Sequence, residues 1–182
     1  MRILGIESSS LVASVALVTD DVLTAEYTMN FKKTHSQTLL PMLDEIANML
    51  ELDLNTIDAI AVAAGPGSFT GLRIGSATGK GLGLALKKPL IHIPTVDAMA
   101  YNLYGCPDLI CPIMDARRNQ VYTGLYRFRR ELETVKEQTP MDMGELIGEL
   151  NARGERVIFL GDGVPVYRAM IEEKMTAEYD FA

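Results

Sequence analysis

The sequence predicts an α/β protein of two tandem β-β-β-α-β-α lobes, the second short or truncated, on three observations. Strand-like stretches at 2–8, 13–19 and 22–29 open the chain, and a helical period follows at 34–50. The short apolar run Ala59-Ile60-Ala61-Val62 reads as a strand covered on both faces, as in a parallel sheet, and leads into a glycine-rich turn. Beyond residue 108 the same order of patterns starts again.

In the helical stretch 34–50, Leu39, Leu43, Ile46 and Leu50 share one stripe, and Leu40, Met42, Ala47 and Met49 widen it beyond what one core face needs. After the strand at 59–64 a helix runs to residue 86, then come a strand at 89–93 and a short helix from Val96. The second half reads as paired strands at 109–115 and 120–128, a third at 132–138, a helix at 141–151, a strand at 156–160 and a helix at 164–174. There the repeat stops. Gly105-Cys106-Pro107-Asp108 marks the division, giving a first lobe at 1–104 and an incomplete second lobe at 105–182.

Bulk composition narrows the classes of function. With 182 residues, 48% of them hydrophobic, the chain is long enough for a substantial core and unlike a disordered segment. A net charge of −7 argues against holding nucleic acid by phosphate contacts alone. Arg117, Arg118, Arg127, Arg129 and Arg130 gather around one predicted hairpin, as a local basic patch or as a solvated strand end. No apolar run approaches the ~18 residues of a membrane span, so a cytoplasmic protein with no membrane partner is expected. Cys106 and Cys111 lack metal-ligand spacing and read as reduced thiols, and His35 and His92 are far apart in sequence.

Two features of the strand-to-helix junction carry chemistry. In Gly65-Pro66-Gly67-Ser68-Phe69-Thr70, the glycines permit positive φ or close approach of another group, and Ser68 or Thr70 is placed to cap the helix. Free amides there would suit an anion, although a tight turn with no ligand accounts for the same residues, and neither a Walker loop nor a dinucleotide fingerprint is present. Along the helix, Gly71, Gly75, Gly79 and Gly83 fall at four-residue intervals and form a bare ridge. Four helical glycines cost roughly 0.8–1 kcal/mol each relative to alanine, so close packing must compensate, against the chain's own sheet or a partner helix.

Three segments together resemble a known family: Ile3-Leu4-Gly5-Ile6-Glu7-Ser8-Ser9, His35-Ser36-Gln37-Thr38-Leu39-Leu40-Pro41-Met42, and Gly65 through Gly75. With Met114-Asp115-Ala116-Arg117 and Val121-Tyr122, they are similar to the TsaB (YeaZ) family of bacterial tRNA threonylcarbamoyladenosine biosynthesis proteins. The resemblance implies an RNase H-like fold of the actin, sugar-kinase and Hsp70 superfamily. It also implies a non-catalytic accessory role beside TsaD, which transfers threonylcarbamoyl to the N6 amine of the adenosine next to the anticodon in tRNAs reading ANN codons. The implied partners are TsaD in a heterodimer, the ATPase TsaE within the complex, a second copy of the chain when TsaD is absent, and tRNA only indirectly or weakly.

TsaD-like chains carry a His-x-x-x-His metal pair where this chain reads Thr95-Val96-Asp97-Ala98-Met99, so no catalytic and no metal-ligating residues are expected. The resemblance places nucleotide binding at Glu7, Ser8, Ser9, Gly67, Ser68 and Asp115, with Ser10 adjacent and Gly161-Asp162-Gly163 a faint echo of the adenosine motif. Glu7 stands where the family usually has Asp, and a purely structural role for it is equally open. No cofactor is required by the chain alone, with ATP or ADP expected at a shared interface. The partner surface is expected at Leu39, Met42, Leu43, Ile46, Met49, Gly71, Gly75 and Gly79. The alternative is an independent small-molecule kinase or ATPase, which needs a carboxylate holding Mg²⁺ and a full adenosine pocket. A hydrolase built on Ser68 or Ser36 with His35 has no identifiable orienting acid.

Overall fold

Alternation decides the first sheet: Leu4 and Ile6 of β1 (Arg2–Glu7) and Ala13, Val15 and Leu17 of β2 (Ala13–Thr19) are sealed from solvent on one face. The computed structural model describes residues 1–182 as two units, Met1–Thr95 and Val96–Ala182. In the first, β3 (Val22–Met29) pairs antiparallel with β2, while β4 (Ala59–Ala63) and β5 (Leu90–Ile93) join in parallel, giving the order β3-β2-β1-β4-β5. Helix α1 (His35–Met49) packs on β2 and β3, and α2 (Phe69–Leu86) packs on β4, β1 and β5. One core unites them, with Leu39, Met42, Leu43 and Ile46 meeting Leu4, Val15, Ile60 and Val62.

The glycine ridge belongs to this core. A Cβ at Gly71 would land on the Ser8 carbonyl oxygen, at Gly75 on the Ser8 hydroxyl, and at Gly79 2.5 Å from Val62 Cγ2. The ridge therefore seats α2 on its own sheet, and Gly71, Gly75 and Gly79 leave no room for a partner helix on that face.

The second unit repeats the plan. Strands β6 (Leu109–Asp115), β7 (Gln120–Phe128) and β8 (Leu132–Asp142) are antiparallel neighbours, and β9 (Val157–Leu160) and β10 (Tyr179–Phe181) add in parallel, in the order β10-β9-β6-β7-β8. Read from the other edge, that is the order of the first sheet. The repeat thus extends past the helix at which the sequence pattern stops, because Tyr179 packs edgewise on Phe181 and on Phe159, and Phe181 lies tilted against Phe159. Helix α3 (Thr95–Ala100) sets the boundary nearer residue 95 than 104, since Val96 and Ala100 are buried with Ile110, Met114 and Tyr126.

Helix α4 (Met143–Arg153) starts later than its apolar pattern, because Met141 and Asp142 continue β8 opposite Val121 and Gln120. Asp142 then caps it, accepting from the amides of Gly144 at 2.8 Å and Glu145 at 3.2 Å. Helix α5 (Val164–Lys174) completes the layer with Tyr167 and Ile171 inward.

Glu149 on α4 accepts from Lys136 and, at 3.0 Å, from Arg153, and these bonds hold its carboxyl below the usual carboxylate range. A depressed carboxyl stabilises the fold above its unfolded pKa, and the benefit disappears as pH falls through the folded value. Glu149→Gln is expected to cost about 0.5–1 kcal/mol in urea unfolding at pH 7, and progressively less as the pH is lowered through the acidic range.

Candidate functional site: the hairpin loop beneath the helix pair

The loop between β1 and β2 lies against the start of α2, and the two segments use up each other's polar groups. Ser68 caps α2, its hydroxyl accepting from the Gly71 amide at 3.2 Å. The Ser68 amide, the donor best placed for an anion, is already given to the Ser9 carbonyl at 2.6 Å. Gly67, at φ 156°, has its Cα pressed against Ser9, and a Cβ there would strike that same oxygen. The fully buried Ser8 hydroxyl donates to the Gly71 carbonyl at 2.9 Å, and Glu7 Oε1 accepts from the Ser9 amide.

Five of the six residues expected to bind nucleotide are thus brought together: Glu7, Ser8, Ser9, Gly67 and Ser68. They meet as an interlock in which the Ser9 carbonyl takes up the Ser68 amide that would otherwise be offered to an anion. His35, which the sequence does not single out as a nucleotide-site residue, completes it. Its Nε2 lies 2.9 Å from the Ser10 carbonyl.

Asp115, the sixth, lies in the second unit at the end of β6. Its carboxylate accepts from the Arg117 amide at 2.9 Å and from the Tyr167 hydroxyl at 3.0 Å. Burial, together with that carboxylate, raises the Tyr167 phenol above its ordinary value. Gly161 and Gly163 are packing glycines, since a Cβ at either would meet the Ile113 carbonyl oxygen, 2.9 Å away in the case of Gly163.

The arginines do not form one patch. Arg117 and Arg118 turn at one end of β7 and Arg129 and Arg130 at the other, about 30 Å apart at 3.3 Å per residue. Arg127 pairs with Glu155, and Arg129 with Glu133 at 3.4 Å.

The expected partner residues divide sharply. Leu39, Met42, Leu43 and Ile46 are 2–5% exposed and belong to the core, whereas Met49 is 78% exposed. The densest apolar stripe of an amphipathic helix is the one its own core takes, so the outward face falls to other residues. These are Leu40 on α1 and Phe69 and Leu84 on α2, all more than half exposed.

Charge on this pair is segregated. Between residues 35 and 51 lie Asp44, Glu45 and Glu51 with no Lys or Arg, and α2 carries Arg73 and Lys80 with no Asp or Glu. A groove of about 510 Å³ runs along the cationic side of α2, over Val62 and Leu90, with Arg73 stacked 4.2 Å from the Phe69 ring centre.

Comparison with known proteins agrees with this architecture. The family model described as "TsaD: tRNA N6-adenosine threonylcarbamoyltransferase" matches residues 25–181. A Bacillus subtilis tRNA threonylcarbamoyladenosine biosynthesis protein TsaB is 35% identical over 175 residues, covering 95% of this chain and 76% of that protein. The Escherichia coli TsaB is 36% identical over 130 residues, covering 70% of this chain and 55% of its own length. Against that second relative the chain spans little more than half. The solved structure of YeaZ from Pseudomonas aeruginosa superposes with a TM-score of 0.80 at 25% identity, covering 100% of this chain and 84% of that one. The chain belongs to the TsaB (YeaZ) family of tRNA threonylcarbamoyladenosine biosynthesis proteins, within the TsaD-like superfamily.

Proposed function

We propose that this protein is a cytoplasmic, non-catalytic accessory subunit in the formation of N6-threonylcarbamoyladenosine on tRNA, and that it acts by docking a TsaD-family transferase on the outward face of α1 and α2. The observation that carries this is the exposed apolar residues and segregated charge of the two helices, whose N-terminal ends close on a phosphate-type loop filled by its own backbone. Arg73 and Lys80 are seven residues apart on α2 and span two helical turns, about 10.5 Å, while Asp44 lies on α1 and Glu51 just past its end.

A two-fold pairing of copies would set each α1 against its partner's α2 with opposite charges facing, which supports a homodimer when the transferase is absent. The transferase, a paralogue of similar fold, would take the same place. TsaE would join that heterodimer, ATP or ADP would bind at an interface shared with it, and tRNA would be held mainly by the other subunits.

Reconstitution tests this. Purified transferase, TsaE, threonylcarbamoyl-AMP and tRNA are expected to yield modified adenosine only when this protein is added, and the protein alone is expected to yield none. Modification without it, or steady ATP turnover by the isolated chain, would instead favour the independent-enzyme alternative.

A further inference from the structure

The two helices of the proposed docking face are joined at their N-terminal ends by a buried junction. His35 opens α1 and is 9% exposed; because the Ser10 carbonyl can only accept, the Nε2 facing it at 2.9 Å carries the proton. The edge of the same ring faces α2, with Cδ2 3.4 Å from where a Gly71 Cβ would stand. From the loop, Ser8 holds the Gly71 carbonyl and Ser9 holds the Ser68 amide. Residues 8–10 therefore form a strut, tied through His35 to α1 and through Ser8 and Ser9 to α2. Such ties matter more here than in an ordinary helix pair, because a ridge of glycines offers few side-chain knobs to fix α2 across the sheet.

We propose that His35 and Ser8 are positioning residues for partner association. Both are buried and neither reaches the outward face, yet together they set the separation of the first turns of α1 and α2, and with it the spacing of the exposed Leu40 and Phe69. The proposal rests on the docking role argued above, and its test separates the two.

Affinity for the TsaD-family transferase is measured by calorimetry for three variants. His35→Ala is expected to bind about tenfold more weakly, as loss of one buried hydrogen bond allows. His35→Gln, whose amide N–H can donate to the same carbonyl, should stay within about threefold of wild type. Ile57→Ala removes a fully buried side chain just before β4, at the end of that strand remote from the junction, and should not change affinity. Equal weakening by His35→Ala and Ile57→Ala, or none by His35→Ala, overturns the proposal.

Should the wild type not bind the transferase, the docking role fails, and amide exchange decides the strut separately. His35→Ala is then expected to speed exchange at Ser68 and Leu72 about tenfold relative to Ile57→Ala. Equal exchange in the two variants overturns the strut.

Discussion

Gly71→Ala is expected to destabilise the first unit by about 3 kcal/mol or more in urea unfolding, among the largest losses any single methyl could cause here. The added Cβ meets the carbonyl oxygen of Ser8, a backbone atom held in the β1–β2 loop, so neither side can yield without moving α2 off the sheet. Gly75 sits one turn further on, and its Cβ would strike a side-chain atom, the Ser8 hydroxyl oxygen, with Ser8 Cβ next at 3.3 Å. Gly75→Ala should therefore cost about 2 kcal/mol alone, and much less in a Ser8→Ala background, where the obstructing oxygen is gone. Gly81 has open space around it, and Gly81→Ala should stabilise by about 0.5–1 kcal/mol through helix propensity. Three alanines on one helix, with opposite signs and one conditional rescue, would be hard to reconcile with a ridge that faces anything but the chain's own sheet.

Leu84→Asp is expected to weaken partner association about 100-fold while leaving the unfolding midpoint nearly unchanged. Leu84 is 83% exposed, so the folded chain loses little, but a carboxylate on the docking face would be desolvated without a partner. Met42→Asp would be a poor probe of the same idea. Met42 is 2% exposed within the core, and burying a carboxylate there should unfold the first unit rather than report on its partner. Charge reversal supplies a gentler check: Lys80→Glu should weaken self-association a few-fold, and Asp44→Lys added to it should restore much of the loss.

Much of the fold was legible because strand alternation and helical period are local properties. The β-β-β-α-β-α order, the capping role of Ser68 and the parallel setting of β4 all follow from neighbours in sequence. What escaped depends on distant contacts. The strand Tyr179–Phe181 is too short to show a period, and it exists through aromatic stacking on Phe159. The turn at Gly105 has the composition of a linker, yet Val96 and Ala100 already pack with the second sheet.

The site was half legible in the same sense. Ser8, Ser9, Gly67 and Ser68 do converge, but no local pattern reveals that the Ser9 carbonyl already occupies the Ser68 amide. The partner surface was read from the richest apolar stripe, which the core claims first; the outward residues Leu40 and Leu84 are ordinary leucines until the fold leaves them uncovered.

The most direct measurement of the docking account is size-exclusion chromatography with light scattering, on the protein alone and mixed with the TsaD-family transferase from the same source. Wild type and Leu84→Asp are compared after a matched unfolding curve has been recorded for each. The wild type is expected to self-associate and to form a one-to-one complex with the transferase, and Leu84→Asp to run as a folded monomer that forms neither. A Leu84→Asp protein that still associates like wild type, or a wild type that ignores the transferase, would contradict it.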